Sequence, residues 1–442
     1  MITVIGGGPS GRMGAIHLAL AGEKVRLIEK RGALGGQCLH QGCMVICGLN
    51  DAARIVTDSK NLRNLSVFNT VPEVSLNSLW TRMNKIQSVI SGILDKETID
   101  AGVELINGEA FVDGSNITLN GEKLDTDKIL ITTGSRPIIP EIPGIHLKGI
   151  YNPHSIFSLK EVPEKLTIIG GGVIASEYAQ IFSAFGAEVT MVIRSSLLRG
   201  KPDLMRTAAF KELGDVNIRE YTLLKEICGE TLVESVKISG NGKEEEIPSD
   251  AVLIASGLRP NSDCIKGIKK GESGEILVNE NYETSVKGVY AAGDVTGAPF
   301  MTPVARMEGT SAAKSILGQT PEKLPSFIPQ SVKLHYEHSF CRTNNDNSKA
   351  VSLPAPSGPG SFWSVPKRYT GKSLIEYEKD TGRLTGMYLG APSSAPVAAY
   401  IAYMMEKGAS IADFNRFIEV HPSTDGISVL LKYAGYLENG GK

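Results

Sequence analysis

The sequence predicts an α/β fold with two doubly wound parallel sheets and a different, α+β region at the C-terminal end. Residues 2–29 and 166–194 carry the prediction, because each runs apolar strand, glycine-rich loop, helix and second strand. Such βαβ units open doubly wound sheets. Residues 323–442 alternate strand-like and helix-like stretches and contain no glycine loop of this kind. We therefore expect two similar sheet domains followed by a third domain of another type.

The composition excludes several classes of protein. The formal net charge is −2 over 442 residues and 21% are charged, so no basic excess indicates nucleic-acid binding. No apolar run approaches the ~18 residues that a membrane helix needs. A strand and a glycine loop follow Met1 directly, which leaves no room for a signal peptide. We expect a cytoplasmic protein with neither nucleic-acid nor membrane partners.

The predicted domains interleave along the chain. A length of 442 residues allows about three domains. We expect a first domain in two segments, a second domain inserted between them and a separate third domain. Residues 51–100 are expected to be helical. The Pro-, Ser-, Asn- and Gly-rich residues 320–365 lack a clear period, and proline at 321, 325 and 329 indicates a domain boundary there. The predicted bounds are 1–147 with 275–322, then 148–274, then 323–442.

The first glycine loop, residues 6–11, has the spacing of a dinucleotide-binding turn. Gly6 permits the tight turn and Gly8 allows backbone to approach a pyrophosphate, while Gly11 allows close packing of helix on strand. Glu29 ends the next strand, where a carboxylate can accept hydrogen bonds from ribose hydroxyls. The alternative is a purely structural turn, which the acid at this distance disfavours.

The second glycine loop predicts a second nucleotide site. Gly170, Gly172 and Ala175 occupy the three fingerprint positions. The strand that follows ends at Arg194 without an acid, and Arg199 lies five residues further on. Arginine suits the 2′-phosphate of NADP, whereas a carboxylate suits the 2′-hydroxyl of NAD. The site therefore favours NADP, the alternative being that both arginines are solvated surface charges.

Cys38 and Cys43 form the third signal, five residues apart and just after the first βαβ unit. Cysteines at this spacing near a helix start can bridge, and the helix dipole favours a thiolate. A pair that interconverts dithiol and disulfide stores two electrons, which a flavin can exchange. With Cys47 the spacing also suggests iron–sulfur or zinc ligation, but no fourth ligand or CxxC pair follows nearby. Inert buried thiols are the other alternative.

Together these residues resemble the pyridine nucleotide–disulfide oxidoreductases, the family that includes dihydrolipoamide dehydrogenase, glutathione reductase and mercuric reductase. The resemblance covers nearly the whole chain, and the motifs occur in the family's order. It implies two Rossmann-like, three-layer domains that bind FAD and NAD(P), and a C-terminal α+β dimerisation domain. The motifs are residues 6–11 with Glu29, 36–43, Thr133-Gly134, 170–177, Ser256-Gly257, Ala292-Gly293-Asp294 and His421-Pro422.

The resemblance implies catalytic roles for five residues. Cys38 would be the interchange thiol that meets the substrate, and Cys43 would contact the flavin. Glu177 would lie near the flavin N5 edge. His421 of the other subunit would be the general base, so the enzyme would be a homodimer. Asp425 would orient that histidine, although the family's dihydrolipoamide dehydrogenases place a glutamate one residue later.

The resemblance also implies the cofactor contacts. Asp294 would hold the ribityl chain of FAD, with Met301 and Thr302 on the following turn. The remaining residues expected to bind the two cofactors are Pro9, Ser10, Lys30, Gly36, Gln37, Ala110, Thr133, Gly134, Val173, Ile174 and Gly257. No metal site is expected.

The chain departs from the family at the segment after Cys43. Val45-Ile46-Cys47 stand where the family usually has Pro-Ser-Lys, and that lysine normally pairs with the glutamate matched by Glu177. Glu177 is therefore expected to lack its usual partner. Cys47 either exchanges disulfides with Cys43 or is a packing residue. No cysteine pair follows Cys341, which argues against mercuric ion reduction, and no arginine set matches that of the glutathione reductases.

The most direct functional prediction is dihydrolipoyl dehydrogenase activity. A dihydrolipoyl dithiol, free or on a carrier domain, would reduce the Cys38–Cys43 disulfide, and the electrons would pass through FAD to NAD(P). One alternative is an NADPH-dependent reductase of a small disulfide, a quinone or oxygen. An alternative of another class is a catalytically weak redox sensor or structural subunit of a 2-oxoacid dehydrogenase complex.

Overall fold

The computed structural model of the chain describes residues 1–342, 347–352, 372–391, 394–418 and 427–438. Strands β1 to β24 follow one another as Ile2–Ile5, Val25–Glu29, Val103–Asn107, Ala110–Asp113, Asn116–Leu119, Glu122–Leu124, Lys128–Ile131, Ser135–Pro137, Ile150–Tyr151, Lys165–Ile169, Glu188–Val192, Asn217–Arg219, Thr222–Cys228, Ser235–Gly240, Lys243–Pro248, Ala251–Ile254, Leu258–Pro260, Ile265–Lys266, Val289–Ala291, Gln330–Lys333, Glu337–Arg342, Ser348–Ser352, Ser373–Glu378 and Leu384–Ala391. Helices α1 to α9 span Pro9–Leu20, Gly36–His40, Cys43–Asn64, Leu76–Asp100, Val173–Ala184, Asp203–Glu212, Thr302–Ile316, Ser394–Glu406 and Ile427–Glu438.

The predicted helical region 51–100 is two helices rather than one. Helix α3 ends at Asn64, and Ser66 has a positive φ of 59°. Helix α4 then begins after Ser75, whose hydroxyl accepts a hydrogen bond from the Ser78 N–H. A capping hydroxyl of this kind satisfies one of the free N–H groups at the start of a helix. The apolar spacing of residues 51–100 continues across this break, so it did not reveal that two helices are present.

Contacts divide the chain into two compact units. The first comprises residues 1–48, 75–161 and 253–324, and the second comprises residues 49–74, 162–252 and 325–442. The predicted three-domain boundaries differ from this division and stay a prediction.

A five-stranded sheet of order β19-β7-β1-β2-β3 forms the centre of the first unit. Each neighbouring pair is parallel. Strands β1 and β7 are buried nearly throughout, as expected for a parallel sheet covered on both faces. Because their carboxyl ends share one edge, the loops after β1, β7 and β19 meet there. Smaller sheets, β18-β4-β5-β6 and β17-β8, complete the unit.

Helix α1 crosses α7 closely because Gly309 has no side chain. A Cβ on Gly309 would lie 2.1 Å from the Ser10 carbonyl oxygen. Beneath this crossing, Leu18 of α1 and Ala312 of α7 belong to one buried cluster with Val4 of the sheet. The two helices therefore form one packed layer on the sheet.

The second unit contains a parallel sheet and two antiparallel sheets, of which the smaller is the three-stranded β13-β14-β15. Strands β10, β11 and β12 are parallel, with β16 beside β10. The C-terminal strands form an antiparallel sheet of order β20-β21-β24-β23-β22. Its apolar cluster includes Phe414 and Leu431, both fully buried. These observations and the parallel sheet of the first unit confirm the predicted fold class of two Rossmann-like sheets and a C-terminal α+β region.

Residues 320–365, which show no clear period in the sequence, nevertheless contain strands. Strands β20, β21 and β22 lie in it, and β21 occupies an interior position in its sheet. Five of the six residues of β21 are buried, so the strand lacks the apolar–polar alternation that marks a half-exposed strand.

In the described ranges, no helix is both long enough and apolar enough to cross a bilayer.

The Gly309 contact generates a stability prediction. Alanine ordinarily stabilises a helix relative to glycine by about 0.5–1 kcal/mol. We expect Gly309→Ala instead to destabilise the protein by about 1–3 kcal/mol, since the new methyl group overlaps the Ser10 backbone. Gly92→Ala in α4 is the matched control, because no atom lies within 4 Å of its added Cβ. Melting temperatures measure both; a rise in both variants would contradict the prediction.

Candidate functional site

The first glycine loop has the conformation that its sequence predicts. Gly6 has a φ of 104°, and a Cβ there would lie 2.4 Å from the Thr132 carbonyl oxygen. A Cβ on Gly11 would lie 2.0 Å from the Gly6 carbonyl oxygen. Both positions therefore require glycine, and the loop leads directly into α1 at Pro9.

The mouth of this loop fits a pyrophosphate. The backbones of Gly8 and Gly36 approach so closely that a Cβ on Gly36 would lie 2.7 Å from the Gly8 Cα. The Ser10 hydroxyl in the first turn of α1 is buried and has no hydrogen-bond partner among the described residues. A helix N-terminus with a free buried donor suits a phosphate oxygen. These residues fit the FAD that the sequence predicts.

The other residues predicted around the loop lie in three different settings. The Glu29 carboxylate accepts hydrogen bonds from the N–H groups of Gly7, at 2.7 Å, and Arg31, at 2.8 Å. Its orientation is thus set by backbone. Ala110 is buried at the start of β4. Lys30 is exposed and lies 3.9 Å from the Glu109 carboxylate, so the structure places it at the surface.

Asp294 is the centre of a partly buried hydrogen-bond network. Its carboxylate accepts from the Ser135 hydroxyl at 2.6 Å and from the Gln37 amide at 3.1 Å. The Gln37 carbonyl oxygen in turn lies 3.0 Å from Nε2 of His154. Burial raises the pKa of Asp294, and these hydrogen bonds oppose the rise. Thr133 and Gly134, which has a φ of 74°, form the turn immediately before Ser135.

Cys38 and Cys43 lie together at the junction of two helices. Cys38 is within α2, and Cys43 is the first residue of α3. Both are free thiols, Cys38 partly buried and Cys43 exposed. A hydrogen bond between them is the main cause of a Cys38 pKa of about 6, and it raises the pKa of Cys43. The pair therefore loses its first proton easily and its second with difficulty.

Helix α7 supplies two further groups to the cysteine pair. The Thr302 hydroxyl lies 3.9 Å from the Cys43 sulfur and also lowers the pKa of Cys38 by a hydrogen bond. The positive charge of Arg306 lowers the pKa of Cys38 as well. Met301 precedes this helix as its N-terminal cap residue.

Cys47 lies one helical turn after Cys43 on α3 and close enough to oppose ionisation of Cys38. Residues four apart on a helix have Cβ atoms about 5–6 Å apart, whereas a disulfide needs about 3.5–4.5 Å. Disulfide exchange between Cys43 and Cys47 would therefore require the first turn of α3 to open. Within the described ranges, no cluster of three or more His, Cys, Asp or Glu side chains could hold a metal ion.

The second glycine loop joins β10 to α5 as predicted. Gly170 has a φ of 137°, Gly172 caps α5, and a Cβ on Gly172 would meet no atom within 4 Å. Val173 and Ile174 form the first turn of α5, and Ala175 is buried. An open glycine at a helix N-terminus again suits a phosphate. In the first unit, Gly257 has a φ of 123° in the turn after β16.

Arg194 and Arg199 are exposed in the loop after β11. Neither makes a hydrogen bond or an ion pair with any residue that the structure describes. Arg206, which is near the same loop, behaves differently: it donates to the Leu197 carbonyl oxygen at 2.9 Å and lies 3.7 Å from Glu220. Because the Glu220 carboxylate also accepts from the Leu197 N–H, at 2.5 Å, the carboxylate nearest the loop is already engaged.

Glu177 is held by a backbone donor. Its carboxylate is buried on α5 and accepts a hydrogen bond of 2.8 Å from the backbone N–H of Lys333. The Lys333 carbonyl oxygen accepts from the Asn50 amide at 2.8 Å, which holds that backbone in place. This contact could not be read from the sequence, because a backbone donor from β20 leaves no side-chain motif. The loss of the family's usual lysine partner stays a prediction. His421 and Asp425 lie outside the described residues, so their roles stay predictions.

Sequence reasoning missed three residues of the site. Ser135 directly follows the predicted turn at Gly134, so its proximity to Asp294 could have been suspected. Arg306 lies four residues after Thr302 and hence on the same face of α7. Glu308 carries no sequence signal: its partly buried carboxylate accepts from the Gly293 N–H at 2.8 Å, and partial burial raises its pKa.

Comparisons with known proteins agree with this geometry. The family model described as pyridine nucleotide-disulphide oxidoreductase matches residues 1–309. A mercuric reductase of Staphylococcus aureus is 33% identical, over 93% of this chain and 78% of its own length. The mitochondrial dihydrolipoyl dehydrogenase of Pisum sativum is 28% identical, over 96% of this chain and 88% of its own. Among solved structures, the HOCl-induced flavoprotein disulfide reductase RclA from Escherichia coli has a TM-score of 0.84 at 25% identity, covering 98% of this chain and 99% of that one.

The ionisation of the cysteine pair generates a pH prediction. Only the thiolate reacts with iodoacetamide, so alkylation of the reduced protein should rise through a midpoint near pH 6 and be lost below it. Cys38→Ser removes the thiol that ionises first, and because burial also raises the pKa of Cys43, the remaining thiol should titrate well above pH 6. Alkylation rates against pH measure both; a wild-type midpoint near the ordinary thiol value of about 8.5 would contradict the assignment.

Proposed function

This chain belongs to the pyridine nucleotide-disulphide oxidoreductase family of flavin-dependent enzymes, and from that premise we propose that it is an NADPH-dependent reductase of small disulfides. Electrons would enter from NADPH bound at the second glycine loop and leave through Cys38 and Cys43. When bound, FAD supplies the two-electron link between nicotinamide and disulfide. The residues that would hold it are the loop at 6–11, Glu29 and Asp294.

One observation carries the choice of NADPH. Two arginines at the end of β11 are exposed and unpaired among the described residues, while a third arginine nearby is paired with Glu220. A 2′-phosphate offers such arginines charge-assisted, bidentate hydrogen bonds. A 2′-hydroxyl would need a carboxylate there, and β11 is followed by Ile193 and Arg194 instead. NADPH specificity in turn favours reduction of the acceptor over oxidation of a dithiol.

The chemistry at the cysteines follows thiol–disulfide exchange. The Cys38 thiolate attacks one sulfur of the substrate disulfide, whose S–S bond breaks and releases one thiolate. Cys43, once deprotonated, then attacks the Cys38 sulfur of the mixed disulfide and releases the second thiolate. Each leaving thiolate takes a proton, and the Cys38–Cys43 disulfide holds the two-electron deficit that NADPH refills.

Dihydrolipoyl dehydrogenase is the second candidate. It is favoured by the full-length similarity to dihydrolipoyl dehydrogenases and by His421-Pro422, the position that resembles the family's base. Both candidates place a homodimer around the site. The exposed apolar side chains of Ile86, Val89 and Ile93 on α4 offer a surface for that contact. Molar mass in solution tests the dimer.

The function is tested by running the reaction in both directions. We expect NADPH oxidation with a small disulfide to be fast, and reduction of NAD or NADP by dihydrolipoamide to be slow. Cys38→Ser should abolish disulfide reduction yet retain bound flavin, since Cys38 lies outside the residues proposed to hold FAD. Cys264→Ser, a half-buried cysteine elsewhere in the first unit, is the matched control. Fast dihydrolipoamide oxidation with slow disulfide reduction would establish the second candidate instead.

The nucleotide assignment has its own test. Arg194→Ser combined with Arg199→Ser should lower kcat/KM for NADPH by about 10²-fold, since each charged hydrogen bond contributes about 1.5–3 kcal/mol. The value for NADH should barely change. Arg82→Ser, an exposed arginine on α4, is the control and should affect neither nucleotide. Equal losses with NADPH and NADH would refute recognition of a 2′-phosphate.

A further inference from the structure

Helix α7 brings a cation to the cysteine pair. Thr302 is its first residue, and the Thr302 hydroxyl lies 3.9 Å from the Cys43 sulfur. Arg306 lies four residues later, so its Cβ is about 5–6 Å from that of Thr302 on the same helix face. The guanidinium is also the cation that acts on the charge of Cys38. Arg306 therefore lies on the face of α7 that meets the cysteine pair, within range for its charge to act on Cys38.

Arg306 is also free to bind a ligand. Its side chain is exposed, and it makes no ion pair or hydrogen bond with any residue in the described ranges. The two partly buried carboxylates of this region are held by neutral donors, Asp294 by Ser135 and Gln37, and Glu308 by the Gly293 N–H. None of these acids neutralises the guanidinium. An exposed, unpaired arginine beside a reactive thiol is suited to an anionic group on the thiol's reaction partner.

We propose that Arg306 is a specificity residue that selects disulfides carrying a carboxylate or similar anionic group a few bonds from the sulfur. The inference rests on the proposed disulfide reductase function and narrows its substrate class. During exchange the anionic group pairs with Arg306 while the Cys38 thiolate attacks the adjacent sulfur. The thiolate released on cleavage carries a second negative charge, which the same guanidinium stabilises.

Three small disulfides with the same two-carbon spacer test this selection. 3,3′-Dithiodipropionate is a dianion, 2-hydroxyethyl disulfide is neutral and cystamine is a dication. We expect the wild-type holoenzyme to show at least about tenfold higher kcat/KM for the dianion than for the dication, with the difference shrinking in 0.5 M salt. Arg306→Gln should remove this preference, chiefly through KM, and Arg306→Glu should reverse it in favour of cystamine. Arg306→Lys should retain most of it.

The controls separate selection from other effects of the same arginine. Lys314→Gln removes a cation three turns along α7 from Thr302 and should leave the substrate order unchanged. The pH midpoint of iodoacetamide alkylation follows Cys38 itself, since iodoacetamide is neutral. If Arg306→Gln lowers turnover of all three disulfides equally, Arg306 acts only on the thiolate and the specificity role is overturned.

The measurements distinguish failure of the proposed Arg306 role from failure of the proposed reductase function. Equal wild-type kcat/KM values for the three disulfides would overturn the role of Arg306 and leave the reductase function standing. Absence of NADPH-dependent turnover with all three would refute the proposed function itself. Flavin content, measured by absorbance in every variant, identifies loss of folding. Reversal of charge preference in Arg306→Glu is a gain of activity that misfolding does not produce.

Discussion

The close crossing of α1 and α7 is the packing contact on which the rest of the first unit's site depends. It exists because Gly309 presents no side chain to the Ser10 backbone. Helix α1 follows the first glycine loop, and the first turns of α7 carry Thr302 and Arg306. Gly293, which precedes Asp294, also lies against the Ser10 side chain. One contact between two helices thus relates the glycine loop, Asp294 and the α7 groups next to the cysteines.

Charge is distributed in this site so that a thiolate is tolerated. Burial raises the pKa values of Asp294 and Glu308, and both carboxylates are held by hydroxyl, amide or backbone donors. Among the residues that the structure describes, neither carboxylate forms an ion pair with a cation. Arg306 is therefore available to Cys38, whose ionisation is also favoured by hydrogen bonds from Cys43 and Thr302. Hydrogen bonds thus satisfy the carboxylates of Asp294 and Glu308, and the positive charge of Arg306 acts on the Cys38 thiolate.

In the second unit, too, three carboxylates are held by partners within the fold. Glu220 engages Arg206 and a backbone N–H, Glu177 takes the Lys333 N–H, and Glu212 lies 2.7 Å from the buried His338 ring. Each acid is committed to a structural contact. Arg194 and Arg199 are left exposed after β11, and neither makes an ion pair or hydrogen bond with a residue that the structure describes.

The sequence by itself determined the two glycine loops, the acid at Glu29 and the cysteine pair, because these depend on local backbone requirements and short spacings. It also indicated the strands of the parallel sheets, whose apolar runs are unmistakable. Only the tertiary structure decided that Glu177 is held by the Lys333 backbone, that Glu308 accepts from the Gly293 N–H, and that β21 is an interior strand. The first two depend on backbone donors from another part of the chain, and the third depends on burial of both faces of a strand. Neither leaves a periodic or motif-like trace in the order of the amino acids.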